Sequence, residues 1–402
     1  MRRLLPLLVG LALGVWAQSA FYPEGPQALP LEGGLRIGLP GFSLDVDNNT
    51  LNLGDLINVA ALLGDPQPTD VLLLAAKVPK GQASVAELRT RGDLFSLAWP
   101  FGEDPLTGMA SFGLGVAYGL EGRARLHIGS DLVALAQEGT QPGDTLFLED
   151  TQAAGALFDR LSLRAALPVL DGLLAVGAEV SLLYSRLASQ ARFAGALTYD
   201  DNGFDGNVSL RAFRGGGGFG YQVSLGVQTR LPTLGAGVLV RTLGKVHYRA
   251  EVTEITAQAT DAAALDILDC FSKGESSSQV VCSTTTGQTE ETLGLPTEME
   301  AYAYYPLFLG EGEPLYLLAR ARGAWGGPLE EGWRFAVGAS YRLLPTWPLA
   351  LEVGLGGPSG FALGVRTGLE LPGMEVRLVL IQRGGFLLGA KGTELGLSAL
   401  LR

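Results

Sequence analysis

The sequence predicts an all-β fold, a transmembrane antiparallel β-barrel of about 14 strands preceded by a short mixed N-terminal plug. Three observations carry the prediction. Segment after segment alternates a large apolar residue with a small or polar one, the period-two signature of a strand with two different faces. The segments run to about ten residues, which suits a tilted membrane-spanning strand better than a globular one. Their connections alternate between short and long, as in bacterial barrels.

Composition sets the outer bounds. Of 402 residues, 47% are hydrophobic and only 17% charged, which excludes a charge-rich disordered chain. The 57 glycines follow no Gly-X-Y period, which excludes collagen. A net charge of −12 argues against a nucleic-acid partner. Two cysteines and two histidines are too few for a zinc or iron–sulfur centre, so neither a metal nor a cofactor is expected.

Met1-Arg2-Arg3, the apolar run Leu4 to Val15 and the small residues that follow read as residues 1–17 of a signal peptide, cut after Ala17 or else after Ala20. The run is shorter than the roughly 20 residues of a spanning helix. Export to the outer membrane of a diderm bacterium is the expectation.

Residues 18–82 depart from the strand scheme and are expected to form a plug or periplasmic-side segment. In it, Leu35 to Val46 reads as one short strand and Leu53 to Leu63 and Asp70 to Lys77 as short helices. The acidic stretches Asp45, Asp47, Asn49 and Asp201, Asp205 lack the closing glutamate of a calcium loop and read as solvated turns.

From residue 83 to 402 the barrel is expected. It starts with a hairpin of Ser84 to Thr90 and Asp93 to Pro100 and ends with Glu394 to Leu401. Phe219 to Leu231 shows the pattern, with Phe219, Tyr221, Val223 and Leu225 on one face and Gly220, Gln222, Ser224 and Gly226 on the other. A soluble barrel would fill its interior with the large apolar residues. Here glycines and charges share the second face, which fits a wet lumen. Tyr118, Tyr184, Tyr248, Trp325, Trp333 and Trp347, near strand ends, are expected in the interfacial girdles. The longer links run from Gly129 to Ala156, from Arg186 to Gly217 and, longest, over residues 251–297.

Alternation places Arg123, Arg125, His127, Glu179, Arg230, Arg241, His247, Arg320, Arg322, Arg334, Glu352, Arg366, Glu370, Glu375 and Arg377 on the lumen face. There they would either bias a solute by charge and size or pair with one another and hold the barrel together. Cys270 and Cys282, eleven residues apart in an exported chain, are expected to form a disulfide that staples the long loop. No local signature joins either histidine to a nucleophile and an orienting group, so no enzyme is expected.

The signal peptide, Leu51-Asn52-Leu53-Gly54-Asp55-Leu56 and the strand Gly217-Gly218-Phe219-Gly220-Tyr221-Gln222-Val223-Ser224-Leu225-Gly226 together resemble the long-chain fatty-acid transporter type of outer-membrane barrel, and more closely a related exported family without an assigned role. The resemblance covers the whole mature chain. It implies a plugged barrel of about 14 strands and uptake of small hydrophobic molecules. Outer-membrane lipid, the barrel assembly machinery and a small solute are the implied partners. The chain ends Ala399-Leu400-Leu401-Arg402, where such barrels usually carry an aromatic residue. The functional expectation is a passive channel or transporter for small solutes; the alternative is a barrel that anchors or contacts the envelope surface without transport.

Overall fold

The computed structural model describes residues 35–50, 52, 77–78, 81–103, 110–170, 173–231, 234–308 and 314–401. The expected signal peptide, the helices at 53–63 and 70–76, and most of the Leu51–Leu56 motif lie outside the described residues.

Among the described residues seventeen strands form one closed antiparallel sheet. Its staves are β1 (Arg36–Gly38) with β2 (Gly41–Asn48), β3 (Ser84–Glu103), β4 (Ala110–Ile128), β6 (Gln152–Val169), β7 (Leu174–Tyr199), β8 (Phe204–Leu231), β9 (Leu234–Ala262), β10 (Val280–Leu295) with β11 (Thr297–Leu307), β12 (Leu315–Trp325), β13 (Glu331–Leu344), β14 (Trp347–Gly356), β15 (Phe361–Leu371), β16 (Met374–Arg383) and β17 (Gly392–Leu401). A short β5 (Thr145–Phe147) adds to β7. β10 and β11 lie end to end along β9, and β1 and β2 both pair with β3 and β17, so the barrel has 14 staves and no free edge.

Around the body of the barrel the outward side chains form an apolar band, as a lipid-facing wall must. Val337 is 63% exposed, Leu355 64% and Leu163 61%, with small or polar neighbours turned inward. Closure matters for the same reason, since a sheet in lipid must satisfy every backbone group internally. Among the described residues no helix is long and apolar enough to cross a membrane.

Two expectations about strand boundaries are corrected. Ser84 to Pro100 is not a hairpin but one strand. The Arg91-Gly92 pair that looks like a turn stays in the ladder, opposite Glu121 and Leu120, and a β-bulge between Asp93 and Phe95 takes up the irregularity. Residues 36–48, assigned by pattern to the plug, form the fourteenth stave. Thr393 pairs with Val46 and Asp45 with Arg89, which closes the ring. Their alternation of Phe42, Leu44 and Val46 with Ser43, Asp45 and Asp47 is that of the other staves. The link from Asn48 to Ser84 therefore starts and ends at the long-link end of the barrel. Its returning part touches α1 (Ser130–Glu138), where the Gln137 side-chain amide donates to the Val78 carbonyl at 2.7 Å.

The long links are also mostly strand. β7, β8 and β9 run for 26, 28 and 29 residues, against 10 each for β14, β16 and β17. At roughly 3.3 Å per residue the tall strands far exceed an apolar band of about 25 Å. Residues 251–297 are thus no loop. They contain the top of β9, α2 (Ala264–Lys273) and β10, with Cys270 and Cys282 joined in a disulfide. This extension has its own core of Leu146, Leu197, Phe204, Val208, Ile267 and Val280, against which Leu132, Leu135 and Phe271 pack.

Candidate functional site

The lumen is crossed by ion pairs between distant staves. Glu298 on β11 accepts from Arg241 on the neighbouring β9 at 3.1 Å, from Arg89 on β3 at 2.9 Å, and from Arg123 on β4. Asp45 on β2 accepts from Arg322 on β12 at 2.5 Å and Arg334 on β13 at 2.8 Å. Glu87 on β3 accepts from the same Arg334 at 2.9 Å. Glu331 completes the belt, 3.7 Å from Arg89 and 3.6 Å from Arg322. Strands about 4.8 Å apart and tilted about 40° would, in a round barrel of 14 staves, stand on the order of 28 Å from their opposites. An arginine and a carboxylate do not span that distance, so the section is flattened at the belt.

Charge pairing explains why such side chains tolerate burial. Arg123 is 4% exposed, Arg334 8%, Asp47 fully buried and Glu298 5%. A lone charge there would carry a desolvation cost of several kcal/mol, and carboxylate and guanidinium together offset it. Small residues make the room. The Tyr302 and Tyr304 rings lie against Gly237 and Gly235 of β9, and the Glu352 side chain runs over Gly364 as it accepts from Arg366 at 3.0 Å.

Most of the sequence-predicted lumen residues point inward. Arg123 pairs with Glu121 at 2.6 Å, Arg125 with Glu330 at 2.7 Å, and Glu179 with Arg164 at 2.5 Å. Arg320 pairs with Glu300 at 2.8 Å, Glu370 with Arg342 at 2.7 Å and Glu375 with Arg377 at 2.5 Å. Arg241, Arg322, Arg334, Glu352 and Arg366 have been placed above. His127 lies on the inward face at the long-link end, its Nδ1 2.6 Å from the Asp150 carbonyl. The Arg230 side chain is outside the described residues.

His247 faces the other way, which corrects the alternation. Between Arg241 and Lys245 β9 carries a bulge, visible as the register shift between Tyr221 and Val223 of β8. One extra residue reverses the faces beyond it. Lys245, His247 and Arg249 are therefore exposed while Val246 and Tyr248 are buried, and Tyr248 belongs to no girdle. The His247 ring nitrogen Nδ1 lies 2.8 Å from the Thr292 hydroxyl. Tyr118, Tyr184, Trp325, Trp333 and Trp347 do face outward.

Beyond the bulge the interior of the tall wall holds an apolar layer, above which Gln190 donates to the Tyr248 hydroxyl and Arg211 lies over the Phe213 ring. Phe158, Leu183, Val246, Tyr248, Leu293 and Leu329 pack into one layer beside the belt. On the short-turn side of the belt lies a charged cavity of about 260 Å³, whose lining includes Arg91, Asp93, Glu300, Arg320, Glu375 and Arg377. Apolar layer, ion-pair belt and charged cavity follow one another along the lumen.

Several belt members escaped sequence reasoning. Arg89 and Glu87 lay in the supposed hairpin. Asp45 and Asp47, which the sequence pattern presents as solvated turns, are 5% exposed and fully buried respectively. Their alternation with Leu44 and Val46 was the available signal. Outside the lumen, carboxylate oxygens of Asp200, Asp205 and Asp261 come within 4.8 Å of one another at the tip of the extension.

Fold and lumen define a transmembrane β-barrel with an ion-paired interior. No family model matches the chain, and no curated protein matches it. Among solved structures it is similar to the toluene transporter TbuX of Ralstonia pickettii, with 14% identity over 94% of this chain and 91% of that one and a TM-score of 0.44. A FadL homologue of Pseudomonas aeruginosa is 12% identical over 95% and 93%, with a TM-score of 0.48. The monoaromatic hydrocarbon channel CymD is 13% identical over 95% and 93%, with a TM-score of 0.42.

Proposed function

We propose that the protein is an outer-membrane transporter for small hydrophobic solutes rather than an open pore for ions. The observation that carries this reading is the sequence of environments along the lumen. An apolar layer of Phe158, Leu183, Val246, Tyr248, Leu293 and Leu329 lies on the side of the long links, and an ion-pair belt bars the way beneath it. A polar ion gains nothing from the apolar layer, whereas a small apolar molecule is transferred out of water at about 25 cal/mol per Å² buried. The belt then acts as the barrier to ions and the selective element toward solutes.

Binding of toluene and of a medium-chain fatty acid to the purified barrel, followed by isothermal titration calorimetry, tests the reading. Saturable binding that Leu183→Glu and Val246→Glu abolish is the expected result. Absence of binding overturns it.

A second reading has its own support. The extension built by β7 to β10, with α1, α2, a disulfide and a separate apolar core, is larger than a barrel needs to span a membrane. It suits contact with a partner at the cell surface. If no solute binds and removal of residues 263–279 leaves the barrel folded, this surface role is the one that stands.

A further inference from the structure

Three cations on the outside of the barrel lack the partners that the inward arginines have. Arg214 on β8 and Lys245 and Arg249 on β9 are exposed, and among the described residues none has a carboxylate at ion-pairing distance. Glu290 stands opposite Arg249 in the β9–β10 ladder without reaching it. By contrast Arg186, exposed on the adjacent β7, is held by Asp159 at 2.7 Å.

Their height on the wall is set by the residues beside them. Lys245 is the ladder partner of Tyr221, His247 of Phe219, Arg249 of Gly216 and, two residues higher, Arg214 of the exposed Glu251, to which it makes no ion pair. Tyr221 is 51% and Phe219 71% exposed, and Phe219 packs against Tyr184 with ring centroids 5.1 Å apart. Toward the short turns the same outward face carries Leu225, Val227 and Val238. The three cations thus start at the aromatic rim of the apolar band and rise just above it, where the band gives way to lipid headgroups.

Two bulges put them there. β8 bulges between Gly216 and Phe219, with Gly217 at φ +72°, and β9 bulges between Arg241 and Lys245. Without the shift in β9, Lys245 and Arg249 would fall on the lumen face with Arg241, and Val246 and Tyr248 would face lipid headgroups. Bulges are positioned features that re-aim side chains.

We infer that Arg214, Lys245 and Arg249 form a binding surface for the phosphate groups of anionic lipid in the outer leaflet. Guanidinium groups take phosphate oxygens in pairs, and the lysine ammonium adds a point charge. The surface lies on the tall wall, so bound lipid would seat the barrel at a fixed depth with the extension clear of the bilayer. The inference is independent of the solute reading, because all three side chains point away from the lumen.

Native mass spectrometry of the detergent-purified mature protein, titrated with phosphatidic acid, phosphatidylglycerol and phosphatidylcholine, tests it. The wild type should retain the two anionic lipids at least about tenfold more strongly than phosphatidylcholine. R214Q/K245Q/R249Q should lose that preference while keeping the gel mobility of a folded barrel, and K273Q, on the exposed α2, should keep it. If the triple variant does not fold, K245Q and R249Q taken singly should each weaken the preference. Unchanged preference in the folded variants overturns the inference. So does displacement of the lipid by equimolar inorganic phosphate, which would mark a free-phosphate site.

Discussion

Arg123 on β4 and Glu298 on β11 are in contact across the lumen, with β6, β7, β8 and β9 standing between them along the wall. Arg89 and Arg241 converge on the same carboxylate. The contact joins opposite walls that the backbone ladder connects only by the long way round.

Glu298→Gln should therefore destabilise the barrel strongly. It removes the charge that Arg89, Arg123 and Arg241 share while all are largely buried. Breaking one side of such a buried arrangement costs about 3–5 kcal/mol. The temperature at which the folded band disappears in heat-modifiability gels should fall, and Glu298→Met combined with Arg123→Met should recover part of the loss. An unchanged midpoint for Glu298→Gln would show that the belt is not structural.

The belt should also control ion flow. Wild-type protein in a planar bilayer is expected to be nearly silent. R89Q/E298Q/R322Q/E331Q, which removes both signs together, should show stepwise conductance. Equal conductance of the two proteins would place the barrier elsewhere.

The disulfide is expected to serve the extension and not the barrel. Cys270 on α2 and Cys282 on β10 close a loop of eleven residues beyond the apolar band. Its removal in C270S/C282S releases about 3 kcal/mol of unfolded-state constraint locally. Limited proteolysis should cut between residues 263 and 279 at least several-fold faster, with gel mobility of the barrel unchanged.

Gly237 tests the fit of the wall. A side chain there meets the Tyr302 ring on the neighbouring strand. Gly237→Val should cost about 1–3 kcal/mol through overpacking, whereas Gly287→Val in the extension, where nothing lies close, should cost far less. Urea-unfolding midpoints compare the two directly.

Val337 tests the membrane face. It is 63% exposed on β13, in the apolar band. Val337→Arg should cost about 2–4 kcal/mol, the value for an arginine near the bilayer midplane, measured by reversible unfolding from liposomes. A neutral result would deny that this face meets lipid.

Much of this architecture was legible in the sequence because strand alternation is local. Phe335, Val337 and Ala339 against Arg334, Ala336 and Gly338 divide correctly without reference to any other strand. The paired cysteines are equally legible, since the only two in the sequence leave a single pairing. Arg91-Gly92, by contrast, has the composition of a turn, and only the ladder to β4 shows that the chain runs straight on. The alternation misplaces His247 and Tyr248 because the bulge before Lys245 is marked only by Gly244, one glycine among many in these strands, yet it exchanges the two faces of everything above it.

The sequence by itself determined the kind of fold, the solvent of its outer face and the charged character of its inner one, since each depends on neighbours two residues apart. Tertiary structure alone decided that residues 36–48 close the ring, that Asp45 and Glu298 each gather arginines from distant staves, and that Lys245 and Arg249 face outward. These depend on register with neighbouring strands and on the distance between opposite walls, neither of which is written in residues two apart along one strand.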